Sequence, residues 1–220
     1  MKNKKDALSP AEKLKNKGEK SLVNLKPKSK RKSSMRLYKN IIDVVIKDPI
    51  IIARAREFAS KVTGTTNYSD SNQVKKDKIS NDHFISKIGE EAAKIVLEGL
   101  GKKVTGPDYN IYRGRQKSWA ADLFIDEDLG IAVKTQTAES AAKYESSWMF
   151  QAIQDGRMDS ILLNKEAWCI FVTCTSEGDA FKCRVQPPFQ IKELKFDDPK
   201  LSYLRNKKVV VYEKFLPKVK

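Results

Sequence analysis

The chain is 220 residues long and 40% hydrophobic, enough for one α/β domain of about 150–180 residues with a tail but not for a core along its whole length. Its 43 Lys+Arg against 28 Asp+Glu give a net charge of +15, of which residues 1–36, with 13 basic and 3 acidic side chains, carry +10. Three cysteines (Cys169, Cys174 and Cys183), an odd number without a CxxC pair, argue against a disulfide framework, and with the lone His83 they show nothing that resembles a zinc finger. Buried reduced thiols in a cytoplasmic protein, with no secretory signal and no membrane span, are expected.

Residues 1–36 are Lys-rich and almost free of aromatics, so they cannot bury enough apolar surface to offset the entropy of ordering. They read as a disordered basic arm. Its cations, Lys30, Arg31 and Lys32 among them, would displace counterions from a polyanion, DNA first of all. A helical segment follows over 37–78. Tyr38, Ile41, Ile42, Val45 and Ile46 recur at helical spacing, Pro49 interrupts, a helix resumes over 50–61, and a polar loop ends it. The core is expected over 79–220. A helix over 82–100, capped by Ser80 or Asn81, is stopped by Gly99 and Gly101. Short strands at 103–105 and 109–112 precede alternating strands at 120–126 and 130–136, joined by a turn. A helix over 137–154 has Tyr144, Trp148 and Ile153 as apolar anchors, and strands follow at 167–173, 181–186 and 209–212. The sum is an α/β (α+β) layered domain.

Side chains of a strand alternate between faces. Asp122 and Phe124 share one face of the first alternating strand; Ala132, Lys134 and Gln136 share one face of the second, opposite Ile131, Val133 and Thr135. A hairpin therefore brings Asp122, Lys134 and Gln136 onto one surface over an apolar core. Phosphodiester hydrolysis suits such a surface. A carboxylate binds Mg²⁺, which lowers the pKa of a bound water, and a lysine stabilises charge developing on the phosphate. Gln136 would orient water or contact the DNA backbone. Just upstream, Arg113, Arg115 and Lys117 form a compact basic loop suited to phosphates or guanine edges.

The stretch 85–144 resembles the PD-(D/E)XK nuclease superfamily, which includes restriction enzymes, Holliday-junction resolvases and some homing endonucleases. Gly89-Glu90-Glu91-Ala92-Ala93, followed by Leu97 and Gly101, looks like the glutamate-bearing first helix of that family. Ala121-Asp122-Leu123-Phe124-Ile125 looks like its aspartate strand, and Ile131-Ala132-Val133-Lys134-Thr135-Gln136 like its (D/E)-x-K-x-Q strand. The resemblance implies a restriction-endonuclease-like mixed central sheet flanked by helices, with Mg²⁺ or Mn²⁺ as cofactor. It implies Asp122, Glu90 or Glu91, and the Val133 carbonyl as metal ligands, with Lys134 and Gln136 as further catalytic groups. Spacing to the helix-ending glycine favours Glu90; adjacency to Ile88 and Ile95 favours Glu91. One position departs from the pattern, because Ala132 stands where the family has an acid. Three readings follow: the acid has moved, to Asp126, Glu139 or Glu145; the remaining ligands hold one metal; or catalysis is lost.

The leading expectation is a metal-dependent endodeoxyribonuclease whose arm holds DNA, acting as a homodimer where both strands are cut. The alternative is a catalytically inactive nuclease-fold protein that binds DNA within a phage or mobile-element complex. A third class, a basic structural protein of a large assembly, needs no site at all. Trp119 and Trp148 read as packing residues rather than base-stacking platforms, and His83 as structural.

Overall fold

The computed structural model describes residues 36–63, 75–112, 121–152, 158–205 and 207–219. The chain divides into two units, Met1–Met35 and Arg36–Lys220. Lys30, Arg31 and Lys32 of the basic arm, together with Arg113, Arg115, Lys117, Trp119 and Ile153, lie outside the described residues. In chain order the second unit runs β1 (Ile42–Ile46), α1 (Pro49–Thr63), α2 (Lys76–Gly99), β2 (Val104–Thr105), β3 (Leu123–Ile125), β4 (Leu129–Thr137), α3 (Ala138–Tyr144), β5 (Ser147–Gln151), β6 (Trp168–Glu177), β7 (Ala180–Val185), β8 (Phe189–Gln190) and β9 (Lys208–Tyr212).

Strand β6 is the axis of this mixed α/β architecture, because its opening residues WCIFV have no polar face. Trp168, Ile170 and Val172 turn to one side of the sheet, Cys169 and Phe171 to the other, and all are buried. A continuous apolar run of this kind suits a strand covered on both faces. β6 pairs parallel with β4, from Ile131↔Trp168 to Thr137↔Cys174, and antiparallel with β7 and β8. The sheet order is β1-β7-β6-β4-β3-β2, with β8 beside β6. Helices α1 and α2 lie on one face, where Ile88, Ala92 and Leu97 join Ile131, Val133 and Val172 in one core. The other face carries Ala132, Cys169 and Phe171 against a two-stranded sheet of β5 and β9. Trp148 stacks on Phe171 with 4.6 Å between ring centres and donates its indole N–H to the Val172 carbonyl at 3.0 Å, so it is a core anchor. Complete burial of a side chain such as Phe150 contributes roughly 1.5–3 kcal/mol. No helix among the described residues is long and apolar enough to cross a membrane.

Several stretches differ from the sequence expectation. Residues 42–46 form a strand, not a helix. IDVVI turns alternate residues inward beside β7, and its four β-branched side chains favour that pleated surface. The expected helix over 137–154 is only α3. Glu145 takes a positive φ of 76° and ends it, and SWMFQ then alternates as β5 with Trp148 and Phe150 inward. Helix α2 starts at Lys76 rather than at a Ser80 or Asn81 cap, because buried Ile79 extends its apolar stripe one turn upstream. Residues 109–112 are not a strand. The stretch 37–63 belongs to the same unit as the rest, with β1 an edge of the sheet.

Candidate active site

The β3–β4 hairpin turns through Asp126 and Glu127, whose φ values of 49° and 67° match the twist of a tight hairpin. Its register is Leu123↔Ile131, Phe124↔Gly130 and Ile125↔Leu129. β3 stops at Leu123, and there a side chain takes over the ladder. Asp122 donates its backbone N–H to the Ile131 carbonyl at 3.0 Å, and its Oδ2 accepts the Val133 N–H at 2.8 Å. Because N–H and C=O of one strand residue leave on the same side, the Val133 carbonyl faces the same edge. Gly106 (φ +105°) backs this point. A Cβ there would lie 2.6 Å from the Asp122 carbonyl oxygen, so no larger residue fits without moving the aspartate.

On β4 the side chains divide as the alternation requires. Ile131 and Val133 enter the helix-side core, and Ala132 enters the opposite one. Lys134 follows Ala132 on that second face, about a quarter exposed, with its ammonium 4.8 Å from the centre of the Phe150 ring. Its partner is Asp159, at 2.6 Å. Both ends of Gln136 are engaged by backbone: Nε2 donates to the Glu145 carbonyl at 3.2 Å, and Oε1 accepts the Ser147 N–H at 2.8 Å. Gln136 thus ties β4 to the start of β5.

Helix α2 approaches β4 closely at Gly89. A Cβ on Gly89 would overlap the Thr135 hydroxyl and sit 2.7 Å from Thr135 Cγ2. This approach seats the two adjacent glutamates, and they part ways. Glu90 forms an ion pair with Lys87 at 2.6 Å, both buried. Glu91 takes an ion pair with Arg54 of α1 and the Tyr109 hydroxyl at 2.9 Å. The Arg54 guanidinium in turn lies 4.2 Å from the centre of the Tyr109 ring. Burial first, and then the Glu91 charge, push the Tyr109 hydroxyl well above its ordinary range. Glu91 is therefore part of a bridge between two helices and the 106–112 segment. Glu90 instead lines a pocket of about 220 Å³ with Lys87, Asp108, Tyr112, Ala121, Asp122 and Phe124.

The geometry brings Glu90 to the same pocket as Asp122, and Lys134 to the same strand face as Ala132. Glu91 and Gln136 serve packing and register. The acids considered as replacements at Ala132 lie elsewhere. Asp126 sits in the hairpin turn, four residues and roughly 13 Å of strand from Asp122. Glu139 is exposed in the first turn of α3. Glu145 holds Lys214 at 2.7 Å and Lys200 at 2.9 Å, which together keep its carboxyl below the usual range. Sequence reasoning missed Asp159 and Lys87. Asp159 lies 25 residues from Lys134, beyond any local spacing rule, and Lys87 reads as an ordinary helix lysine until its burial is seen. Among the described residues, no three His, Cys, Asp or Glu side chains converge closely enough to hold a metal ion alone. No protein-family model, curated protein or solved structure matches the chain.

Proposed function

We propose that the protein is a metal-dependent endodeoxyribonuclease on a PD-(D/E)XK-like frame, hydrolysing DNA phosphodiester bonds with Mg²⁺ or Mn²⁺. One observation carries the reading. The Asp122 carboxylate stands where β3 releases β4, lines one pocket with Glu90, and accepts the N–H of Val133, the residue before Lys134. The donors suit the ion. Mg²⁺ prefers carboxylate oxygen and usually keeps several waters while taking one or two protein carboxylates, so a pocket without a three-ligand cage is compatible with it. Asp122 and Glu90 would hold it, with the Val133 carbonyl at the same strand edge.

When bound, the ion would polarise the phosphate and acidify a water. The chain supplies the rest. The Val133 N–H fixes the rotamer of Asp122 before any ligand arrives. The buried Lys87 ammonium holds the Glu90 carboxylate at 2.6 Å and so fixes its place at the pocket wall. Lys134, packed over Phe150, offers a positive charge to the phosphate oxygens as negative charge grows on them. The basic arm would hold DNA non-specifically, and a homodimer would present two sites to two strands.

The test is cleavage of supercoiled plasmid and branched DNA by the full chain with Mg²⁺ or Mn²⁺, beside Asp122→Asn. The asparagine keeps an oxygen for the Val133 N–H, so the fold is preserved while the charge is lost. Metal-dependent cleavage that falls at least about 100-fold in the variant is expected. DNA binding without cleavage, unchanged by the substitution, would overturn the reading. It would favour a non-catalytic DNA-binding role, for which Ala132 is the specific argument.

A further inference from the structure

Strands β6 and β7 join through a tight turn at Gly178 and Asp179, and their register sets Cys174 opposite Cys183. Just past β7, the Gln186 N–H donates to the Phe171 carbonyl at 2.8 Å, so Phe171 and Gln186 are a hydrogen-bonded pair. Bonded and non-bonded pairs alternate along an antiparallel ladder. Val172↔Val185 is therefore non-bonded, Thr173↔Arg184 bonded and Cys174↔Cys183 non-bonded. Non-bonded pairs set their Cα atoms about 4.5 Å apart with the side chains close together, within the roughly 4.4–6.8 Å that a disulfide spans. The side chains agree with the backbone, because the two Sγ atoms share a hydrogen bond at 2.7 Å. Both thiols are free and buried in the core beneath α2. Cys169 is free and buried as well, but it enters the core on the opposite face of the sheet, beside Ala132 and Phe171. Of the pairings open to the cysteines, the fold leaves one.

We propose that Cys174 and Cys183 are a dithiol–disulfide pair, which a small-molecule disulfide oxidises to a covalent bridge across β6 and β7 while Cys169 stays a thiol. The inference is independent of the nuclease reading. In the first step one cysteine thiolate attacks a sulfur of the reagent, forms a mixed disulfide and expels one thiolate. The second cysteine thiolate then attacks the protein sulfur of that mixed disulfide and expels the other. The two cysteine thiols lose two electrons and two protons, and the reagent takes up both and leaves as two thiols. Closure is slow on the folded chain. The hydrogen bond to Cys183 first, and burial second, hold the Cys174 thiol well above its ordinary range, and exchange needs a thiolate within reach of the reagent. Attack therefore waits for the hairpin to open. The same burial shields the bridge from reductants once it has closed. Its effect reaches beyond the hairpin, since Cys174 is the register partner of Thr137 at the end of β4 and Cys183 that of Val44 on the edge strand β1.

The experiment counts thiols on the full-length protein. One sample is held folded with oxidised glutathione, and a second is refolded from denaturant in the same reagent, which removes the barrier of burial. Each is quenched with acid, denatured and alkylated, and its peptides are identified by mass spectrometry. The wild type is expected to keep one alkylated cysteine, Cys169, after refolding and, more slowly, in the folded sample. Digestion after Lys182 then leaves Cys183 attached to the Cys174 peptide only through the bridge, and dithiothreitol releases it. Cys169→Ser should form the same bridge and keep no thiol. Cys174→Ala and Cys183→Ala should each keep both of their remaining thiols, with thermal melts confirming that they fold. A wild type that keeps all its thiols under both treatments, or one that bridges through Cys169, overturns the proposal.

Discussion

Two neighbouring glutamates illustrate how little a residue type settles before its partners are known. Glu90 and Glu91 are both almost fully buried on α2, but one lines the pocket of Asp122 and the other locks α2 to α1. Glu91→Gln is expected to destabilise the protein by about 1–2 kcal/mol, less than a fully buried pair would cost because Arg54 is half exposed. A melting temperature lower by about 2–8 °C would register it, with Mn²⁺ affinity unchanged. Glu90→Gln should do the reverse to function, lowering metal-dependent cleavage. A second residue-scale prediction concerns alkaline pH. Burial raises the Tyr38 hydroxyl, which donates to the Gln186 carbonyl at 2.7 Å, and Tyr109 is raised likewise, by burial first. The folded state thus holds these protons after the unfolded chain has begun to release them near pH 10. Their contribution is complete below that pH and is lost as pH rises toward the folded values. Denaturation midpoints between pH 8 and 11 should fall above about pH 10, and Tyr38→Phe should flatten that fall.

At the scale of elements, the packing of α2 on β4 decides where Glu90 stands. Gly89→Ala drives a methyl into Thr135. Overpacking of this kind costs roughly 1–3 kcal/mol, and here it also shifts the helix that carries Glu90. The expected result is lower stability and lower activity together, with Gly89→Ala/Thr135→Ala restoring both in part; thermal melts and plasmid cleavage on the same samples check it. The elements themselves are unevenly legible in the sequence. The hairpin, β6 and β7 read nearly in place, because alternation or an unbroken apolar run is a local signal. β1 and β5 read as helix. In Ile42–Ile46 the apolar residues satisfy both periods at once, and only the β7 neighbour, some 140 residues away by its register, selects the strand. In Ser147–Gln151 the choice belongs to β9, paired from Ser147↔Tyr212 to Gln151↔Lys208. Pairing at such separations leaves no trace in a window of ten or fifteen residues.

For the whole molecule, the same limit explains which parts of the candidate site are readable. Asp122 and Lys134 are legible because one short hairpin carries both. Asp159 is not, since β5 and its following turn bring it in from outside the motif. Charge is the one global property that needs no knowledge of the fold, and it is divided unequally: +10 in residues 1–36 against +5 in the remainder. If the two parts divide the labour accordingly, the arm sets affinity and the Arg36–Lys220 unit sets chemistry. Deleting residues 1–34 should then reduce the magnitude of the slope of log affinity against log salt by about 0.9 for each phosphate that the arm neutralises. Cleavage at saturating DNA should keep its maximal rate, because no group proposed to act on the phosphate lies in the deleted stretch. Binding isotherms at four or five salt concentrations, for full-length and truncated protein on one duplex, measure the difference directly. An unchanged slope would remove the arm from DNA binding and leave its charge without that role; a reduced slope with a reduced maximal rate would mean that the arm also orders the substrate at the pocket.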